Sequence, residues 1–240
     1  MSGALSIPAT PPWPDLRARS TLPELLDASL PESEVRKSLA DLRFVNRWLG
    51  SRSGLLNAMA PHLPSRGGRL LDVGCASGDV TAFLSAGLPG LSLVVGIDRK
   101  PLHLRDAPRG IGRVAADVRQ LPFRPKSFDV VTASLFLHHF DAGELPGLLR
   151  DLGRFARRAI VVSDLRRALV PYLFGRATFP FLFKTRVSVH DGLVSIRRAF
   201  RDEELRAAFA AAGMPAVEIR RVFPYRLVAV AALPDPPEAA

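Results

Sequence analysis

The chain is expected to fold as an α/β domain on a mostly parallel, seven-stranded sheet with helices on both faces. Three observations predict this. From Arg69 onward, short apolar runs of strand length alternate with helix-like segments. The first of them, Leu70 to Val80 (LLDVGCASGDV), is a buried-type strand that runs into a glycine-bearing turn. The last two, Ala216–Val222 and Arg226–Leu233, flank Phe223-Pro224-Tyr225 and are too close together for a crossover helix, so they should form an antiparallel hairpin at the sheet edge.

Residues 1–30, with Pro8, Pro11, Pro12 and Pro14 and little apolar periodicity, are expected to be a loose tail, as are residues 234–240. Residues 31–66 read as a helical cap. Val35, Leu39, Leu42, Val45 and Leu49 recur at helical spacing over Pro31 to Leu49, and a second short helix is expected near Gly54 to His62. Residues 67–233 form the main domain. Its strands are predicted at Arg69–Val73, Ser92–Ile97, Gly112–Ala116, Phe128–Ser134 and Ala159–Asp164, with helices near Asp79–Ala86, Pro101–Asp106 and Ala142–Phe155. The rhythm then breaks for about 35 residues (165–200) before a helix from Asp202 to Ala212, which has three acids in its first turn and Gly213 at its stop.

At 240 residues, 48% of them hydrophobic, the chain can bury one substantial core. The net charge of +10 is uneven, with 16 basic against 7 acidic residues between Arg150 and Arg226. Such a field attracts anions of many kinds and identifies none. With only four lysines among the 33 basic residues, a GC-rich coding bias accounts for it as well as function does. The single cysteine, Cys75, leaves no disulfide framework and no cysteine-built metal site, which suits a reducing cytoplasm, and no metal is expected. No signal peptide or membrane-spanning run is evident; the nearest approach, Ala168–Phe183, is interrupted by Pro171, Arg176 and Pro180.

In open α/β sheets, ligands sit beyond the carboxyl ends of the strands. Here those ends carry Asp72 to Gly78, Asp98, Asp117 and Ser134, and Asp98 lies 20 positions beyond Gly78. A glycine turn lets a backbone pass close to a small ligand, and its pairing with this carboxylate after a second apolar strand points to an adenosine-type cofactor. Nicotinamide chemistry fits poorly, because the third glycine of its fingerprint would fall on Asp79 and a pyrophosphate would meet a carboxylate at the helix start.

The spacing Gly74-x-Ala76-x-Gly78 resembles motif I of the class I S-adenosylmethionine-dependent methyltransferases. The resemblance extends to Asp98, to Ala116-Asp117-Val118 with Leu121-Pro122-Phe123, and to Phe128-Asp129-Val130-Val131 followed by Leu137-His138-His139-Phe140. It covers about residues 69–164 and departs from the family pattern at the middle glycine, here Ala76. It implies a Rossmann-like methyltransferase fold and S-adenosylmethionine as cofactor. Asp72, Gly74, Cys75, Ala76 and Gly78 would pass the methionine part, Asp98 with Arg99 would meet the ribose, Asp117 and Val118 the adenine, and Ser134 the sulfonium end.

Methyl transfer from a sulfonium is an in-line displacement in which alignment and desolvation supply much of the acceleration. A base is needed only when the acceptor must lose a proton. His138, His139 and His190 are the candidates, each weighed against a packing role. Residues 165–200 are expected to form a lid over the acceptor, aromatic in its first part, with His190, Asp191 and Arg197 at the mouth. Arg47 and Trp48 of the first helix could fold over the site, whereas Phe44 is expected in the core. The segments 44–50, 190–192, 197–200 and 223–226 look like a bacterial subgroup associated with tailoring of polyketides or lipophilic phenols, which implies O-methylation of a small aromatic acceptor, with C-methylation as the alternative. An RNA methyltransferase would explain the basic second half, but no Asn/Asp-Pro-Pro-Tyr/Phe motif follows the fourth strand, and nucleic acid is not the expected partner. A catalytically silent binding protein of the same fold is the third reading. Ala168–Phe183 after Arg166-Arg167 also suits peripheral contact with a membrane surface.

Overall fold

The computed structural model describes residues 13–48 and 52–234. Prolines 8, 11 and 12, Leu49 and Gly50, and nearly all of the expected C-terminal tail lie outside them. Two helices, α1 (Glu32–Trp48) and α2 (Arg52–Met59), precede β1 (Gly68–Val73). The alternating part follows as α3 (Asp79–Gly87), β2 (Leu91–Asp98), α4 (Pro101–Leu104), β3 (Gly112–Ala115), β4 (Phe128–Ser134), α5 (Leu145–Phe155) and β5 (Ala156–Leu165). Two helices, α6 (Leu169–Leu182) and α7 (Arg186–Arg198), then lead to α8 (Asp202–Ala211), β6 (Glu218–Val222) and β7 (Arg226–Ala232).

The seven strands lie in the order β3-β2-β1-β4-β5-β7-β6. Strands β1 to β5 pair in parallel, and β7 runs antiparallel to both β5 and β6, so the C-terminal hairpin completes one edge. The order reverses at β1, which has β2 on one side and β4 on the other, and a crevice opens there at the strand ends.

Alternation along each central strand builds two cores. Leu71, Val131, Ile160 and Val162 face α5 and α8, whereas Leu70, Val130, Ala159 and Val161 face α2 and α3. A third cluster joins α6 and α7 through Tyr172, Phe179, Leu193 and Ile196. The proline-interrupted run 168–183 is therefore a helix, with Pro171 in its first turn, where no amide donor is missed, and Pro180 in its last. Among the described residues, no helix is long and apolar enough to cross a membrane.

The described part of the expected tail is fastened rather than loose. Leu25 and Leu26 donate their amides to Asp191 at 2.7 and 2.8 Å, and Ser20 donates to Arg197 O. Arg19 reaches the carbonyls of His138, Phe140 and Arg198, and Leu16 O accepts from Arg167 and Arg201. Backbone hydrogen bonds to side chains far along the chain hold this strap, and these leave no apolar periodicity to read.

Candidate active site

Beyond the carboxyl ends of β1, β2 and β4 lies a cavity of about 420 Å³, within the range of small-molecule sites. Its floor is the turn after β1. Gly74 and Gly78 both have φ of +68°, and a side chain on Gly74 would run into the Phe136 ring, so the turn needs glycine there. Ala76 adopts φ +48°, the left-handed conformation that costs an alanine about 1–2 kcal/mol. Its amide donates to Asp98 Oδ2 at 3.1 Å, so the turn is locked to the end of β2. Cys75 is a buried filler against Gly96, where a Cβ would come within 2.7 Å of its sulfur. Burial pushes the Cys75 thiol well above its ordinary range, which excludes a nucleophile at neutral pH.

Two carboxylates sit behind the turn. Asp72 is 1% exposed; the Thr81 hydroxyl donates to Oδ2, and Oδ1 has no hydrogen-bond partner. Burial, to which the Asp79 charge adds, lifts the Asp72 carboxyl to about 7. Burial also raises Asp79, against the amide of Asn46, which tethers it to α1. On the adenosine side predicted from sequence, Asp98 Oδ1 accepts from Lys100 N at 2.8 Å and lies 3.2 Å from His103 Nδ1. Asp98, Arg99, Asp117, Val118 and Ser134 all line the cavity.

The roof is made by the strap, α1 and the α6–α7 pair. On α1, Ser38, Asp41, Leu42 and Val45 face the cavity at helical spacing. Asp41 also accepts from Lys184 N and Thr185 N, joining α1 to the start of α7. Arg47 and Trp48 lie off that face; the Arg47 guanidinium stands 5.4 Å over the Trp48 ring, and Trp48 is 65% exposed. Phe44 is likewise on the outer face, 37% exposed rather than in the core. On α7, Ser188, Asp191, Gly192 and Ser195 face the cavity. His190 and Arg197, seven residues apart, share another side, so the structure brings Asp191 to the mouth but not these two. His190 is buried with Nδ1 3.0 Å from Asp191 Oδ1, and the Asp191 carboxylate is spent on the strap amides. The aromatic share of the roof comes from Phe179 and Phe183.

His138 and His139, on the short turn after β4, both line the cavity, their rings stacked at 4.5 Å. His138 is 2% exposed, with Nδ1 2.7 Å from Asp164 Oδ1 and Nε2 3.2 Å from Glu24 Oε1. Burial disfavours every charge in this group, yet the mutual attraction prevails: Glu24 and Asp164 titrate below the ordinary carboxyl range and His138 is raised to about 10. His138 is thus held as an imidazolium between two carboxylates and takes no proton at neutral pH. His139 has its ring a quarter exposed, with Nδ1 3.0 Å from Asp27 Oδ2.

Glu24, Asp27, Asp164 and Arg226 are among the site residues that sequence reading missed. Arg226 is 3% exposed at the start of β7, lines the cavity, and has Nη1 without a partner. Asp164 closes β5, a strand-end position like those of Asp98 and Asp117, and that placement could have identified it. Glu24 and Asp27 carry no such signal.

Residues 70–159 match the family model for a methyltransferase domain. The demethylmenaquinone methyltransferase of Roseiflexus sp. (strain RS-1) is 32% identical over 126 residues, which are 50% of this chain and 52% of that protein. The chain spans about half the length of the curated relatives it matches. Among solved structures, the plantazolicin methyltransferase BpumL in complex with SAH superposes with a TM-score of 0.66 at 16% identity, covering 85% of this chain and 91% of that one. A SAM-dependent methyltransferase from Aquifex aeolicus gives 0.61 at 16% identity, covering 85% and 99%. Domain match, strand order and fold agree: residues 70–159 are similar to a methyltransferase domain, and the whole sheet has the fold of the S-adenosylmethionine-dependent methyltransferases it superposes on.

Proposed function

We propose that the protein transfers a methyl group from S-adenosylmethionine to a small, aromatic or lipophilic acceptor, with an oxygen as the favoured methyl-accepting atom. The observation that carries this reading is the convergence of the glycine turn, Asp98 and Asp117 on one cavity, whose acceptor side sets Leu42, Val45, Phe179, Phe183 and Ile196 among polar groups. The donor set fits the cofactor: Asp98 and Asp117 offer acceptor oxygens to hydroxyl and amino groups, and the unpartnered Asp72 Oδ1 is a buried acceptor suited to an ammonium. When bound, the cofactor supplies a sulfonium methyl with its leaving group already in place. The similarity to the demethylmenaquinone methyltransferase named above is consistent with a quinol-like acceptor here.

The chain's own residues do the rest. The strap and the α6–α7 pair border the cavity on its acceptor side and narrow its mouth, so an acceptor bound beneath them is partly desolvated. His138, held between Asp164 and Glu24, fixes the turn that presents His139 to the cavity. His139 is the ring with access to take the proton. His190 and Arg197, both off the cavity, keep packing roles. The His138→Gln/His139→Gln double variant is expected to bind cofactor as the wild type does and to lose about 10²-fold or more in turnover of phenolic acceptors. Unchanged turnover removes the pair from the mechanism.

A lipophilic acceptor also accords with the outer face of α6, where Val170 and Phe181 are 62% and 87% exposed near Arg166, Arg176 and Lys184. Flotation with anionic liposomes tests whether this face meets a membrane surface.

A further inference from the structure

Both histidines of the His138-His139 turn are oriented from behind by a carboxylate. His138 Nδ1 lies 2.7 Å from Asp164 Oδ1, and His139 Nδ1 lies 3.0 Å from Asp27 Oδ2. Each Nδ1–H donates to its carboxylate, so once His138 gives up its Nε2 proton to an incoming ion both Nε2 atoms are the ligand positions, and both approach Glu24. The separations are 3.2 Å from His138 Nε2 to Oε1 and 3.8 Å from His139 Nε2 to Oε2. One donor atom from each of the three residues can be chosen so that all lie within 4.8 Å of one another. Glu24 and His138 are buried, His139 is partly so, and all three border the cavity.

We propose that Glu24, His138 and His139 form a binding site for a divalent transition-metal ion of the zinc class, with its open position toward the acceptor side of the cavity. Two imidazole nitrogens and one carboxylate, with a fourth position left open, are a donor set of catalytic zinc. A carboxylate behind each imidazole is the outer arrangement that fixes the tautomer and raises ligand basicity. The charges agree with this. Arg226 faces Asp164 and Lys100 faces Asp27, so a site of two neutral histidines and Glu24 carries one negative charge for a dication. Donors about 2.1 Å from a tetrahedral ion stand about 3.4 Å apart, and the His138–Glu24 separation already matches that spacing. His139, the most exposed of the three, is the ligand that must close in. Sequence reading expects no metal, an expectation argued from the single cysteine; Glu24 lies in a segment with no recognisable pattern.

The role of the ion rests on the proposed methyl transfer, although the site itself does not. An ion there supplies positive charge beside the acceptor hydroxyl, and with it bound His139 is a ligand rather than a base.

The test uses the full chain, stripped with a chelator and titrated with zinc by calorimetry and with cobalt(II) by visible absorption. One equivalent is expected, with cobalt(II) gaining the intense bands of a four-coordinate site. Glu24→Gln and His139→Gln, which keep size and polarity, should each weaken zinc binding at least tenfold, and Asp27→Asn, behind His139, about tenfold. Asp98→Ala should bind zinc as the wild type does. Failure of the folded wild type to bind one equivalent overturns the proposal, as does binding that survives unchanged in the Glu24→Gln and His139→Gln variants. Failure of the wild type to bind S-adenosylhomocysteine instead overturns the proposed function and leaves the metal result standing.

Discussion

Asp72→Asn should make the free protein more stable at alkaline pH while weakening its hold on the cofactor. Asp72 is fully buried behind the glycine turn, with one oxygen bonded to Thr81 and the other without a partner, and burial lifts its carboxyl to about 7. A carboxyl whose folded pKa exceeds its unfolded value of about 3.9 binds more protons in the folded state, so stability falls as pH rises between those values and levels off above the folded pKa. Between pH 5.5 and 7 that loss amounts to about 2 kcal/mol, at about 1.4 kcal/mol per unit. For a chain of this size it corresponds to about 4–8 °C in melting temperature. Asparagine keeps the shape and an acceptor for Thr81 but does not titrate. Melting curves of both proteins at pH 5.5 and pH 8 give the assay. Wild type should lose about 2 kcal/mol more than the variant across that interval, and calorimetry with S-adenosylhomocysteine should show weaker binding to the variant. Parallel pH profiles would refute the buried-acid argument, and unchanged affinity would refute the placement of an ammonium beside Oδ1.

Other expectations follow from the same geometry. Asp98→Ala removes the acceptor of Ala76 N and Lys100 N along with the proposed ribose contacts, and hydrogen bonds to a charged group are worth about 1.5–3 kcal/mol each, so calorimetry should show cofactor affinity down at least tenfold. Ala76→Gly relieves about 1–2 kcal/mol of left-handed strain but frees the unfolded chain by about 0.4–1 kcal/mol, so melting should shift upward by no more than a few degrees, with cofactor binding retained. Asp191→Asn loses the charge that holds the strap amides, and hydrogen exchange should speed at Leu25 and Leu26 while the amides of β4 stay protected.

The main domain was legible because its signals are local. The predicted fourth strand, Phe128–Ser134, matches β4 residue for residue, and α3 begins at the predicted Asp79 after the glycine turn. Strand β5 begins at Ala156, three residues earlier than expected, because Arg157 and Arg158 do not look like strand interior although Ala156 and Ala159 are buried. Within the site, Asp72, Asp98, Asp117 and Ser134 could be placed from the strand ends alone, since chain direction and sheet topology fix where those ends lie. The roof could not be placed in this way. Whether a helix turns Asp191 or His190 toward the cavity depends on its rotation, which is set by packing at Tyr172, Leu193 and Ile196. Glu24 enters through hydrogen bonds between the strap and Asp191, over 160 residues away, and no periodicity records them.

The central claim is that the glycine turn, Asp98 and Asp117 bind S-adenosylmethionine for methyl transfer. Equilibrium dialysis of the wild-type chain against radiolabelled S-adenosylmethionine, beside Asp98→Ala, tests it most directly. The account predicts one saturable site in the wild type, competed by S-adenosylhomocysteine and at least tenfold weaker in the variant. Absence of saturable binding to the folded wild type contradicts it.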